Sequence, residues 1–162
     1  MLDELFTANR LYSENFSLAG LEPRAARGLA ILTCMDSRVE PLAMLGLVPG
    51  DAKILRNAGG RVTPDVLRSL VFATAFLGVT YIAIMQHTNC ALAKLTDSDV
   101  FVHLQSSRLE ADSESYLTMS DPDAALRSDV EIVKSSRSLP PGIVVEGWRY
   151  DVDTGLIGRI VS

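Results

Sequence analysis

Cysteine is scarce in this sequence: Cys34 and Cys90 are the only two in 162 residues. That excludes a small fold stapled by several disulfides and leaves either two thiols for metal or catalytic work or one bridge at most. Histidine is as scarce, with only His87 and His103. Lys and Arg form no cluster and the formal net charge is -5, which argues against a nucleic-acid partner. No uninterrupted apolar run is long enough for a membrane span. The stretch from Val66 to Met85 comes nearest, but Arg68 and Ser69 lie inside it and Gly78-Val79-Thr80 breaks it. A buried helix, a turn and a strand fit it better than a span. The opening Met1-Leu2-Asp3-Glu4-Leu5 lacks the basic start and apolar core of a signal peptide, so the expected compartment is the cytoplasm.

What is present is an ordinary globular composition, 48% hydrophobic and 22% charged, in a length that suits one domain. No repeat or linker divides the chain, so residues 1–162 read as a single domain. Leu2 to Phe16 has helical spacing of apolar residues, and Leu18 to Gly28 is a connector rich in Gly, Pro and Ala. Such a helix, joined through residues up to 28, packs on its own domain or on a partner subunit. Leu29 to Thr33 and Ala52 to Asn57 read as strands. Thr63, Pro64 and Asp65 mark the start of a helix, whose Val66, Leu67, Leu70, Val71, Phe72 and Phe76 leave it largely buried and which Gly78 ends. Thr80 to Gln86 is a third strand, Leu95 to Gln105 a helix, Ser113 to Ser120 a loop, and Asp121-Pro122-Asp123 opens a helix to about residue 136. Ile143 to Tyr150 and Leu156 to Val161 form a closing hairpin about Asp153-Thr154-Gly155. Strands alternating with helices predict an α/β fold: a mostly parallel central β-sheet flanked by helices, with a C-terminal hairpin strand.

The first strand runs into Cys34-Met35-Asp36-Ser37-Arg38 and the third into Gln86-His87-Thr88-Asn89-Cys90. Ligands bind at the carboxyl ends of strands where strand order reverses. If these two strands flank that point, Cys34, His87 and Cys90 converge on one crevice. Two thiolates and an imidazole suit zinc and leave a fourth tetrahedral position open. The same residues also allow two buried thiols beside a core histidine, or a Cys34–Cys90 disulfide. Asp36 and Arg38, two residues apart, can face the same way, where the guanidinium holds the carboxylate ionised; a solvated loop ion pair is the plain alternative. His103, Trp148 and Tyr150 read as surface or packing residues, and Arg61 is left without a role.

The three motifs Cys34-Met35-Asp36-Ser37-Arg38, Arg56-Asn57-Ala58-Gly59 and His87-Thr88-Asn89-Cys90 resemble, in order and separation, those of β-class carbonic anhydrases, specifically the short prokaryotic branch. The resemblance extends from Leu29 through the helix after Pro64 to the strand Gly147-Trp148-Arg149-Tyr150-Asp151-Val152. It implies zinc on Cys34, His87 and Cys90, with Asp36 accepting a hydrogen bond from zinc-bound water or hydroxide and Arg38 orienting Asp36. It implies reversible hydration of carbon dioxide to bicarbonate, and a homodimer or dimer of dimers in which the N-terminal helix crosses to the partner. Carbonyl sulfide or carbon disulfide hydrolysis on the same scaffold is the neighbouring activity, and a non-enzymatic zinc protein is the alternative of another class. Two positions depart from the family pattern. Ala91 stands where Gly is usual, its backbone N–H still available to a bound anion. Ile31 stands where some members have a Trp of a regulatory bicarbonate pocket, so that pocket is not expected.

Overall fold

The computed structural model describes residues 2–162. Twelve elements follow in order: α1 (Leu2–Glu14), β1 (Leu29–Cys34), α2 (Pro41–Met44), β2 (Ala52–Asn57), a 3₁₀ turn (Ala58–Gly60), α3 (Pro64–Phe76), β3 (Tyr81–His87), a second 3₁₀ turn (Ala91–Ala93), α4 (Asp97–Ser106), α5 (Pro122–Lys134), β4 (Val144–Tyr150) and β5 (Ile157–Val161). The strands make one sheet in the order β2-β1-β3-β4-β5. The first three pairings are parallel and β4 with β5 is antiparallel, as the alternation of elements predicted. The connections from β1 and from β2 leave in opposite directions, so the reversal of strand order falls between β1 and β3. The carboxyl ends of those two strands are Cys34 and His87.

Side-chain alternation along the buried strands sends two sets of residues to opposite faces. Ala30, Leu32, Ile82, Ile84 and Val145 meet Val66 and Leu70 of α3 and Leu126, Val130 and Val133 of α5. Ile31, Ala83 and Met85 meet Val39 and Leu47 on the other face. Helices begin where the sequence supplies caps. The Thr63 hydroxyl accepts from Val66 N at the start of α3. Asp121 accepts from Asp123 N and Ala124 N at the start of α5. Thr96 and Asp99 form a reciprocal capping box on α4. Each cap of this kind contributes about 1 kcal/mol.

One expectation changes. The helix after Thr63 buries only Val66, Leu70 and Ala73, one stripe against the sheet. Phe72 and Phe76 lie on its outer face, 55% and 66% exposed, with ring centroids 4.9 Å apart. Apolar residues all round this helix therefore mark a second face, not full burial. The stretch from Val66 to Met85 is α3, a turn at Gly78 and β3, and among the described residues no helix is long and apolar enough to cross a membrane. The short helix α2 had no sequence signal beyond Pro41. The N-terminal helix ends at Glu14 and buries no residue on its own chain.

Candidate metal centre

Cys34 closes β1 and His87 closes β3, and Cys90 follows three residues later in the loop, so all three sit at the sheet's reversal point. All three are buried, and their sulfur and nitrogen ligand atoms lie within 4.8 Å of one another. The two thiols are free, which removes the disulfide alternative. The tight turn from β3 to Cys90 runs through Asn89 at φ 56, a left-handed conformation that Asn tolerates better than most residues.

His87 Nδ1 lies 2.8 Å from the Thr88 carbonyl oxygen and so carries the proton it donates there. Its Nε2 is buried and has no hydrogen-bond partner among the described residues. An orphaned imidazole lone pair facing two sulfurs is what a metal ligand looks like before the ion is considered. Tetrahedral zinc, with bonds of about 2.3 Å to sulfur and about 2.0 Å to nitrogen, sets such ligand atoms roughly 3.5–3.8 Å apart. The donor set therefore fits a soft divalent ion.

The thiol chemistry agrees. Cys34 is pulled well down, first by a hydrogen bond from the Cys90 thiol, then by His87 and by the backbone N–H groups of Asp36 and Gly59, with burial opposing. Cys90 is pushed up, first by the Cys34 sulfur and then by burial. Two sulfurs this close do not both ionise unless a cation lies between them. His87 is raised, chiefly by Cys34, with burial opposing.

Asp36 stands at the mouth of this cluster, Oδ2 3.8 Å from His87 Nε2. Arg38 grips its carboxylate bidentately: Nε donates to Oδ1 at 2.9 Å and an Nη donates to Oδ2 at 2.8 Å, while the Arg38 backbone N–H also donates to Oδ1 at 2.9 Å. These bonds hold the Asp36 carboxyl well below the usual carboxylate range. The Arg38 guanidinium also donates to the Asn89 carbonyl at 3.2 Å, tying the Asp36 loop to the Cys90 loop. Arg56 donates to the Cys34 carbonyl at 3.1 Å and to the Asp36 carbonyl at 2.7 Å, which fixes the path of the chain between them. Ala91 opens the 3₁₀ turn beside Cys90, exposed. Ile31 is fully buried in the core, and Trp148 and Tyr150 pack on that same face. His103 is exposed on α4.

Some neighbours of the site carried no signal in the sequence. Met119, in the stretch expected to be loop, is 2% exposed and packs with Cys34 and Cys90. Its N–H donates to the Leu92 carbonyl at 3.0 Å. The turn Ala58–Gly60 lies between the ligand segments. A Cβ on Gly60 would stand 3.0 Å from Cys34 N, and one on Gly59 would stand 2.9 Å from Leu92 Cδ2 and 3.3 Å from Met119 Cε. The paired glycines after Asn57 were the available clue to so close an approach.

Residues 29–135 match the carbonic anhydrase family. β-Carbonic anhydrase 1 of Mycobacterium tuberculosis is 31% identical over 163 residues, spanning 98% of this chain and 96% of that protein. A carbon disulfide hydrolase of Saccharolobus solfataricus is 32% identical over 167 residues, spanning 87% and 81%. The crystal structure of carbonic anhydrase from Streptococcus mutans superposes with a TM-score of 0.92 at 38% identity, covering 98% of this chain and 96% of that one. The family match, these relatives and the convergence of Cys34, His87 and Cys90 at the sheet's reversal point lead to one conclusion: the chain belongs to the β-carbonic anhydrase family.

Proposed function

We propose that this protein binds zinc through Cys34, His87 and Cys90 and catalyses the reversible hydration of carbon dioxide to bicarbonate and a proton. The observation that carries the proposal is the orphaned, buried His87 Nε2 facing two free thiols, beside a carboxylate that Arg38 keeps ionised. Zinc held there would act as a Lewis acid and make water nucleophilic near neutral pH.

The chain's own residues then do the positioning. Asp36 accepts a hydrogen bond from the attacking water and turns its lone pair toward the substrate carbon. Arg38 occupies both carboxylate oxygens of Asp36, so the carboxylate stays at the mouth of the site and neither swings into the ligand cluster nor takes the product proton. Leu92, Ala93 and Met119 pack around the two cysteines and keep the inner side of the centre dry. The backbone N–H of Ala91, at the start of the turn after Cys90, is the candidate donor to the bicarbonate product.

Carbon disulfide is the second candidate substrate, favoured by the likeness to the Saccharolobus solfataricus enzyme. The same nucleophile would serve both, and substrate choice rests on the access route and not on the fold. Stopped-flow carbon dioxide hydration should be measured beside hydrogen sulfide release from carbon disulfide and carbonyl sulfide, on one zinc-loaded preparation. Hydration well above the sulfide-releasing rates supports the proposal. Sulfide release alone assigns the rival activity, and neither activity assigns a non-enzymatic zinc protein.

We further propose a homodimer, or a dimer of dimers, built on α1. A 13-residue helix with no buried residue has little stability of its own. Its Leu2, Leu5, Phe6, Leu11 and Tyr12 are all more than half exposed, as are Phe72 and Phe76 of α3. So much exposed apolar surface calls for a covering partner, and a second copy offers matching faces.

A further inference from the structure

Arg61 has no part in the ligand set or in the Asp36–Arg38 pair, yet it is buried, with 8% of its surface exposed. Its guanidinium grips Asp129 of α5, which is fully buried: Nε donates to Oδ2 at 2.6 Å and an Nη to Oδ1 at 3.3 Å. The other Nη donates to the Leu117 carbonyl at 2.6 Å. Leu117 has φ 55, a conformation that leucine rarely adopts, so this carbonyl is held where the loop alone would not put it. The Arg61 backbone is clamped as well. Asn57 Oδ1 accepts from Arg61 N at 2.9 Å and Asn57 Nδ2 donates to Arg61 O at 2.7 Å. These bonds close the 57–61 turn at its base. Gly60 of that turn lies on the backbone of Thr33 and Cys34, and Gly59 lies on Leu92 and Met119.

We propose that Arg61, through its buried pair with Asp129, is a positioning residue of the metal centre: it presses the 57–61 turn against Cys34, holds Met119 behind the two cysteines, and so sets how tightly the centre keeps its metal. The inference rests on reading Cys34, His87 and Cys90 as metal ligands. A buried ion pair is a poor source of net stability, because desolvation consumes most of its attraction. Its use here is geometric. Three segments that carry or contact the ligands meet at one guanidinium: the turn after β2, the loop before α5, and α5 itself.

The test uses full-length protein. Arg61→Met with Asp129→Leu removes both charges and keeps apolar bulk, so the double variant is expected to fold. Arg61→Lys keeps the charge and loses the two-pronged grip. Val133→Ala, at the far end of α5, loosens the same helix away from the site. Zinc affinity is read by competition with a chromophoric chelator, the centre's geometry by the thiolate absorption bands of cobalt-substituted protein, and folding by the melt of metal-free protein. The double variant should hold zinc roughly 10- to 100-fold more weakly, with shifted cobalt bands, as loss of outer partners of a metal site typically does. Arg61→Lys should fall between it and the parent, and Val133→Ala should melt lower but bind zinc as the parent does. Zinc affinity within about twofold of the parent in either Arg61 variant that folds would overturn the proposal. So would an equal loss in Val133→Ala, which would make the effect general loosening. A parent protein that takes no zinc would bring down the proposed function itself, a result distinct from both.

Discussion

The closeness of the Ala58–Gly60 turn to Cys34 can be weighed by one pair of substitutions. Gly60 has φ +64 and Gly155 has φ +74, so alanine suffers similar backbone strain at either. That strain costs about 1–2 kcal/mol, and the stiffer unfolded chain returns about 0.4–1 kcal/mol of it. At Gly155 nothing lies within 4 Å of the new Cβ, so Gly155→Ala should cost about 1 kcal/mol and leave metal binding untouched. At Gly60 the new Cβ would lie 3.0 Å from Cys34 N and from Thr33 C, and 3.2 Å from Thr33 Cα. These are backbone atoms of a strand paired on both sides, and they cannot swing away as a side chain would. Overpacking of this kind adds about 1–3 kcal/mol. Gly60→Ala should therefore cost about 2–4 kcal/mol, a fall in Tm on the order of 10 °C against about 3 °C for Gly155→Ala. Whatever relief the chain finds comes from moving Cys34, so zinc affinity should fall as well. Differential scanning calorimetry of the metal-free variants and chelator competition of the loaded ones give both quantities. Equal losses in the two variants, or unchanged zinc affinity in Gly60→Ala, would refute the reasoning.

Three further outcomes are expected. Asp36→Asn and Arg38→Ala should keep zinc and lose most hydration activity, because both residues stand beside the ligands and not among them; parent rates in both variants would reduce the pair to a structural bridge. Deleting residues 1–20 should convert the proposed dimer to monomer by light scattering, since α1 buries nothing on its own chain; an unchanged dimer would place the interface elsewhere. Activity should climb through mildly alkaline pH, because two thiolates cancel the charge of zinc and weaken its power to acidify water below that of a three-histidine site, where the value is about 7. The Asp36 carboxyl is depressed in the folded protein, so it is ionised above the ordinary aspartate range and protonates only below it. The rise toward alkaline pH is therefore not the titration of Asp36, and it should persist in Asp36→Asn at reduced height; a plateau already reached well below neutral pH would contradict the charge argument.

The sheet and the meeting of Cys34, His87 and Cys90 at its reversal point were legible in the sequence because each has a local signature. Leu29 to Thr33 and Thr80 to Gln86 are apolar runs too short for helices, and each runs into a motif with Cys or His. The parallel order followed from alternation alone. What was not legible depends on contacts between distant segments. Phe72 and Phe76 sit in a run of apolar residues, and nothing in that run says which stripe faces the sheet. Met119 lies in a polar stretch, 29 residues beyond Cys90, and is buried only because the loop folds back to donate to Leu92. Arg61 and Asp129 are 68 positions apart, and neither is surrounded by anything that marks a buried charge.

Zinc content measured together with carbon dioxide hydration decides whether metal-dependent chemistry takes place at Cys34, His87 and Cys90. The parent and the variants Cys34→Ser, His87→Ala and Cys90→Ser would each be assayed for both. About one zinc per chain is expected in the parent, little in any variant, and a hydration rate that tracks the zinc content. Full hydration activity in protein that carries no metal would contradict that expectation.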